Sequence, residues 1–178
     1  MELKDKLNKP YTAEEAINFN SYNVVQNKYK IIETDDALEA WGNTEEEKLA
    51  QAKQAKYNEA NGGAKVFLES GDALFEFEKG KHIEATDGNI AKLTAYALAF
   101  VTGQLQPTDT VVWNTKEDET VELSQEQIVT IINGLGTVQA FVWSVQFPAY
   151  VQAIEMAETV EEVETIEINY TSEIPQEE

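Results

Sequence analysis

The chain has no cysteine, no arginine and a single histidine among its 178 residues. Without cysteine there is no disulfide, no thiolate nucleophile and no sulfur ligand for a metal. With one histidine there is no metal site or catalytic dyad that needs two imidazoles. These absences exclude several classes of enzyme, and we interpret His82 as a structural residue at the surface or rim of a strand.

Positive charge is scarce and comes only from lysine, so the formal net charge is −20 at pH 7. No lysine follows Lys116. Proteins that bind nucleic acid or anionic membranes rely on basic patches. We therefore expect neither nucleic acid nor a membrane as a partner, and no apolar run approaches the roughly 20 residues of a spanning helix. The amino terminus lacks the apolar core of a signal peptide, which predicts synthesis without secretion.

Sequence patterns for cofactor or metal binding are missing. The glycines match neither a P-loop nor a dinucleotide fingerprint. The Asp87-Gly88-Asn89 sequence lacks the spaced ligands of a calcium loop and is better explained as a helix start capped by Asp87. We therefore predict no catalytic residue, no cofactor and no metal, and we expect that the protein is not an enzyme.

The strongest structural pattern lies in the carboxy-terminal half. Residues 110–113 and 120–123 are rich in β-branched or aromatic residues and flank a charged turn, which predicts a hairpin. Ser124 and Gln127 then form a capping box that opens a long helix. Apolar residues at spacings of three and four predict one buried seam along it: Ile128, Ile131, Leu135, Val138, Val142, Val145 and Ala149. Gly134, Gly136 and Pro148 lie inside this pattern and each weakens or bends a helix, which predicts either one long helix with a defect, such as a kink near Pro148, or two helices nearly in line.

The remaining pattern divides the chain into four segments. Residues 1–43 are predicted to be an attachment region with a capped helix start at Thr12/Glu15 and one strand within residues 22–32. Residues 44–63 form a charged stalk helix that opens at a Thr44/Glu47 box and ends at Gly62-Gly63. Residues 64–168 form an α+β domain, with strands at 66–68, 73–77 and 82–85 in a meander, a helix from about 89 to 102 and a last short helix opened by Thr159/Glu162. Residues 169–178 are predicted to be an acidic disordered tail. The expected fold class is α+β, with small antiparallel hairpins packed against helices.

Five aromatic residues are candidates for protein interaction: Trp41, Trp113, Trp143, Phe147 and Tyr150. Trp113 is also explained as the anchor of its hairpin on a helix, and Trp41 as a hinge contact. Trp143, Phe147 and Tyr150 lie off the seam and need a second covered surface. That surface is either another chain or the Phe75/Phe77 sheet of the same chain.

The order of these parts resembles an uncharacterised domain family of bacteriophage and prophage tail proteins, the domain of unknown function 4376. The resemblance covers roughly residues 45–166. It is carried by Trp113 followed by the segment 119–124 (Glu-Thr-Val-Glu-Leu-Ser), and by residues 157–163 (Ala-Glu-Thr-Val-Glu-Glu-Val). The family has no established catalytic motif, so the resemblance implies a role in the virion or in tail assembly and no active site.

Three hypotheses for the function follow. The first is a structural protein of a phage tail, baseplate or fibre, made in the bacterial cytoplasm and located in the virion, with other tail proteins as partners. The second is an assembly chaperone that binds a tail fibre and leaves before maturity. The third is an acidic inhibitor that imitates nucleic acid in the groove of a host protein. The sequence leaves open whether the chain forms a homo-oligomer.

Overall fold

The computed structural model describes residues 1–175 and confirms the α+β class. The chain forms two compact units, one made of Met1–Ala55 with Ala157–Glu164, the other of Lys56–Met156 with the segment from Thr165 onward. Each unit contains small antiparallel sheets and helices, and helix α2 (Glu45–Glu69) runs from the first into the second.

The first unit contains a three-stranded antiparallel sheet in the order β1-β3-β2. Its elements are β1 (Glu2–Asn8), α1 (Ala13–Asn20), the π-helical turn π1 (Ser21–Gln26), β2 (Lys30–Glu33), β3 (Ala37–Gly42), the start of α2 and the short helix α6 (Val160–Glu164). The capping box at Thr12/Glu15 is confirmed. The prediction of one strand over 22–32 is wrong for its first part, because residues 21–26 continue the helix and only Lys30–Glu33 pair in the sheet.

Helix α2 opens where predicted and ends later than predicted. Thr44 accepts the Glu47 N–H at 3.1 Å, and the Glu47 carboxylate accepts the Thr44 N–H at 2.9 Å. The helix continues through Gly62 and Gly63 to Glu69, so the expected strand at 66–68 is helical. A Cβ atom at residue 63 would lie 3.3 Å from the ring of Tyr170. Glycine here provides room for a neighbour and does not end the helix.

The second unit contains the part of α2 from Lys56 onward, two separate hairpins and three further helices. Its elements are β4 (Leu74–Glu78), β5 (Lys81–Glu84), α3 (Asp87–Val101), β6 (Val111–Asn114), β7 (Thr120–Leu123), α4 (Gln125–Phe141), the π-helical turn π2 (Val142–Gln146) and α5 (Phe147–Met156). Strand β4 pairs with β5 and β6 pairs with β7, so the predicted meander is a two-stranded hairpin. The cap of α3 is Thr86, which accepts the Asn89 N–H at 3.2 Å, and not Asp87 as predicted.

The core of the second unit follows the predicted seam as far as Val142. Ile128, Ile131 and Leu135 are fully buried, and they belong to one cluster with residues of α2, α3 and both hairpins. Beyond Val142 the prediction is wrong, because Val145 is 54% exposed and Ala149 is exposed. In π2 the N–H of Phe147 bonds to the carbonyl of Val142, five residues back. This wider turn rotates the buried face, so that Val145 is exposed while Trp143, Gln146 and Phe147 are half-buried.

The two glycines of α4 differ in their surroundings. A Cβ atom at Gly134 would lie 2.2 Å from the ring of Phe75, whereas Gly136 has no neighbour within 4 Å of that position. Gly134 therefore allows the Phe75 ring of β4 to lie directly on the α4 backbone. The helix is not interrupted at either glycine, and the predicted defect is the π2 turn just before Pro148.

Within residues 1–175, one helical stretch, Gln125–Met156, is long and apolar enough to cross a membrane, judged by length and composition alone. No apolar run of this length is evident in the sequence because Thr, Asn, Gln and Ser interrupt it, yet no charged residue lies between Glu126 and Glu155. A core helix of a soluble protein passes the same test. Here the seam residues Ile128, Ile131 and Leu135 form the core of the second unit.

Candidate interaction surfaces

The segment formed by α1 and π1 exposes most of its large apolar side chains. Helix α1 buries no residue, and π1 buries only Asn23. The side chains of Ile17, Tyr22, Val24 and Val25 are 67%, 56%, 43% and 62% exposed. We call these four residues the α1–π1 surface. Exposed apolar side chains that lie close in sequence on one helical segment are typical of a contact site for another protein.

Asn23 holds this segment through polar contacts. Its Nδ2 donates to the Asp5 carboxylate at 2.9 Å and to the Phe19 carbonyl at 3.1 Å. Its Oδ1 is buried and has no hydrogen-bond partner in the described part of the chain. A buried acceptor without a donor is unfavourable. The α1–π1 segment is thus fixed by an amide, while its apolar side chains face outward.

Trp41 lies on β3, the central strand of the sheet in the first unit. It pairs with Leu3 on one side and Lys30 on the other, and its indole N–H donates to Glu39 at 3.1 Å. The side chain is half-buried. The structure therefore places Trp41 within a sheet and not at a hinge.

Trp143 and Phe147 join an aromatic cluster of the second unit. The ring centroids of Trp143 and Phe147 are 5.6 Å apart, and Phe147 is also 5.6 Å from Tyr57 of α2, both in edge-to-face geometry. A shallow apolar groove beside them is lined by Tyr57, Phe147, Pro148 and Val151. The expected cover by Phe75 and Phe77 is wrong for these side chains, because helix α2 supplies the contact.

Tyr150 contacts a segment that was expected to be mobile. Its ring lies 5.3 Å from that of Tyr170, which stacks on Phe67 of α2 at 6.2 Å. Burial raises the pKa of Tyr170 to about 12, and the nearby Tyr150 adds a smaller contribution. Asn169, Tyr170 and Thr171 are therefore ordered against α2 and α5, whereas residues 176–178 of the predicted tail lie outside the described residues.

Trp113 packs against the core cluster of the second unit from strand β6. It pairs with Val121 of β7 and is half-buried. This placement matches the reading of Trp113 as the anchor of its hairpin. The five predicted aromatic residues thus lie in three places. Trp41 is in the sheet of the first unit, Trp113 is on the β6–β7 hairpin, and Trp143, Phe147 and Tyr150 share the helical stretch of π2 and α5.

His82 bonds to the turn between β6 and β7. Its Nδ1 is 2.7 Å from one oxygen of Glu117, and its backbone N–H donates to the other oxygen at 3.0 Å. The pKa of Glu117 is lowered to about 2, mainly by the hydrogen bond from the His82 N–H and to a smaller extent by the contact with the imidazole. The Lys116 N–H also donates to the His82 carbonyl at 2.9 Å. These contacts join the two hairpins, which is a structural role.

No group of three or more His, Asp or Glu side chains within residues 1–175 is arranged to hold a metal ion. The carboxylate that the His82 imidazole contacts, that of Glu117, also accepts the His82 backbone N–H. The geometry therefore offers contact surfaces, and the polar groups around His82 are used in joining the hairpins.

Comparison with known proteins gives one match, to a family model. Residues 43–170 match the model of a family described as a domain of unknown function, number 4376. The chain belongs to this family. No curated protein and no solved structure matches it.

The match to domain 4376 separates two parts of the chain. The matched residues include the aromatic cluster, the core and Tyr170. Residues 1–42, which include the α1–π1 surface, lie outside the match. This surface was not predicted, because residues 22–32 were expected to form a strand. The helical spacing of Ile17, Val24 and Val25 was a signal that could have revealed it.

Proposed function

We propose that the protein is a non-enzymatic structural component of a bacteriophage tail, baseplate or fibre apparatus that acts through protein–protein contacts. In this proposal domain 4376 is the body of the molecule, and residues 1–42 attach it to another tail protein. The phage assignment is supported by the sequence resemblance of roughly residues 45–166 to tail proteins, whereas the matched family is described only as a domain of unknown function. The attachment role is supported by the α1–π1 surface.

The observation that carries the proposal is the outward orientation of the α1–π1 surface. Ile17 and Val25 are each more than 60% exposed, although the same segment buries a polar asparagine. Covering an exposed aliphatic side chain of this size contributes about 1.5–3 kcal/mol. A partner that covers several of them at once would gain several kcal/mol. We expect an apolar surface on the partner.

The charge distribution is consistent with attachment at this end. Residues 1–43 contain five lysines and eight acidic residues, a net charge of −3, whereas the whole chain has −20. Like charges oppose association, and most of the acidic excess lies elsewhere. A second acidic protein can therefore approach the α1–π1 surface with less repulsion than other parts of the chain.

The test is mass spectrometry of purified particles of the phage that encodes the chain. Particles made with the Ile17→Asp/Val25→Asp double variant are compared with wild-type particles. The matched control is Val101→Asp, since Val101 is a 78% exposed apolar residue of α3. We expect the chain in wild-type and Val101→Asp particles, and its loss from those with the double variant. Thermal unfolding of each purified chain checks that all three fold alike.

Two results would contradict the proposal. If the chain were absent from wild-type particles but associated with a fibre protein in the lysate, it would be an assembly chaperone. If the double variant entered particles as well as wild type, the α1–π1 surface would not be the attachment site.

A further inference from the structure

The segment Asn169–Thr171, which we call the tyrosine strap, is held by its backbone on both sides of Tyr170. The side chain of Gln146 donates to the Thr171 carbonyl at 2.8 Å and accepts the Thr171 N–H at 3.0 Å. The hydroxyl of Tyr150 donates to the Asn169 carbonyl at 2.6 Å and accepts the Asn169 N–H at 3.0 Å. Two side chains therefore satisfy four backbone groups of the strap.

The Tyr170 side chain occupies a pocket on α2. Its ring lies between Phe67 and Tyr150, and its hydroxyl donates to the Ala60 carbonyl at 2.9 Å. Gly63 forms the floor, since a Cβ there would approach the Tyr170 ring to 3.3 Å and Ile168 to 3.5 Å. The adjacent Gly62 has no neighbour within 4 Å of its Cβ position. The groove thus favours a tyrosine, because its shape fits the ring and the Ala60 carbonyl accepts a hydrogen bond from the hydroxyl.

This arrangement combines the two parts of peptide recognition. The backbone groups are bound with little dependence on sequence, and a single pocket recognises one side chain. Asn169 and Thr171, next to Tyr170, have exposed side chains and add little selectivity. Any extended segment with a central tyrosine meets the same hydrogen-bonding groups. The groove of Gln146, Tyr150, Phe67, Ala60 and Gly63 is thus a peptide site that the strap fills.

We propose that this groove binds an extended, tyrosine-centred peptide supplied in trans, and that its occupant in trans is the strap of a second copy of this chain. Only four residues, Thr165 to Ile168, connect α6 to the strap. Exchange of a short segment across such a connection reuses the contacts made within one chain, which is the basis of domain swapping. The inference does not depend on a role in the virion.

The charge of the chain favours this mode of self-association over others. Two molecules with a net charge of −20 repel, and most face-to-face contacts would oppose carboxylates. An exchanged strap forms no contact that the single chain lacks. Its polar bonds lie at the surface, where segments open at low free-energy cost. Self-association through the strap therefore needs no new apolar or charged interface.

The groove is tested with a fluorescein-labelled peptide of residues 166–175 and the full-length chain. In wild type the attached strap competes at an effective concentration of about a millimolar, so the free peptide binds poorly. The Tyr170→Ala chain leaves the pocket open. We expect it to bind the peptide at least ten-fold more tightly than wild type, measured by fluorescence anisotropy. The same peptide with alanine at the tyrosine position is the control and is expected not to bind.

Matched variants of the groove separate recognition from a general loss of structure. In the Tyr170→Ala chain, adding Gly63→Ala should weaken peptide binding at least five-fold, because the added methyl group occupies space that the tyrosine ring of the peptide needs. Adding Gly62→Ala should leave binding unchanged. Adding Gln146→Leu should weaken binding about ten-fold, because two backbone groups lose their partner. Circular dichroism establishes that each variant is folded.

The second copy is tested by light scattering of the wild-type chain over a concentration series that extends above the roughly millimolar effective concentration of the attached strap. We expect a dimer fraction that grows with concentration and is lost in Tyr170→Ala. A Tyr170→Ala chain that bound the tyrosine and alanine peptides equally would overturn the peptide site. A wild-type chain that stayed monomeric, or a dimer unaffected by Tyr170→Ala, would overturn strap exchange.

Discussion

At the scale of single residues, Gly134 allows β4 to pack on α4. Because a methyl group at this position would overlap the Phe75 ring, we expect Gly134→Ala to destabilise the protein by about 1–3 kcal/mol. Gly136 faces open space in the same helix, so Gly136→Ala should stabilise by about 0.5–1 kcal/mol. Urea unfolding measures both changes. Equal effects of the two substitutions would contradict the close approach of Phe75.

Glu117 gives the chain a specific dependence on acid pH. Its folded-state pKa, about 2, lies below its ordinary value of 4.5, chiefly because the His82 N–H binds the carboxylate. A lowered pKa stabilises the fold fully above the unfolded value, and this contribution is lost as pH falls from about 4.5 to about 2. We expect wild type to lose more stability in this window than Glu117→Gln, measured by urea unfolding at several pH values. The same slope in both chains would contradict the contact.

At the scale of elements, π2 decides which side of the long helix is buried. Val138 is 2% exposed and Val145 is 54% exposed, although the sequence pattern places both on one seam. A carboxylate at 138 would be buried without a partner, so we expect Val138→Asp to unfold the second unit, at a cost of several kcal/mol. Val145→Asp should change stability by less than about 0.5 kcal/mol. Thermal unfolding distinguishes them, and similar melting of both variants would contradict the rotated face.

Capping boxes and apolar spacing predicted the starts of α1, α2 and α4, because these signals are local. The boundaries of α2 and π1 were missed because their causes are distant in sequence. Gly63 lies against the Tyr170 ring, and the turn at Asn23 is held by Asp5. A glycine pair alone does not distinguish a helix end from a close contact.

The surroundings of the candidate aromatic residues were predicted only in part. The sequence identified Trp143, Phe147 and Tyr150 as residues that need a cover. It did not identify Tyr57 and Tyr170 as the neighbours, because no pattern relates residues that far apart. The π2 turn was not predicted either, because one wider turn does not alter the spacing of three and four between apolar residues in the sequence.

At the scale of the whole molecule, the acidic excess opposes compactness. The chain has 33 acidic residues and 13 lysines. Added salt screens repulsion between like charges. We therefore expect the thermal midpoint to rise between low salt and 0.5 M sodium chloride, a concentration at which the screening length is on the order of 4 Å. A midpoint that fell over this range would mean that attractive ion pairs outweigh the repulsion.

The central claim is that the α1–π1 surface is covered when the protein is assembled. Hydrogen–deuterium exchange of the chain alone and within purified particles tests this claim most directly. We predict slower exchange of the amides of residues 13–26 in the particle, with little change in α3. Unchanged exchange over residues 13–26 in particles that contain the chain would contradict the account.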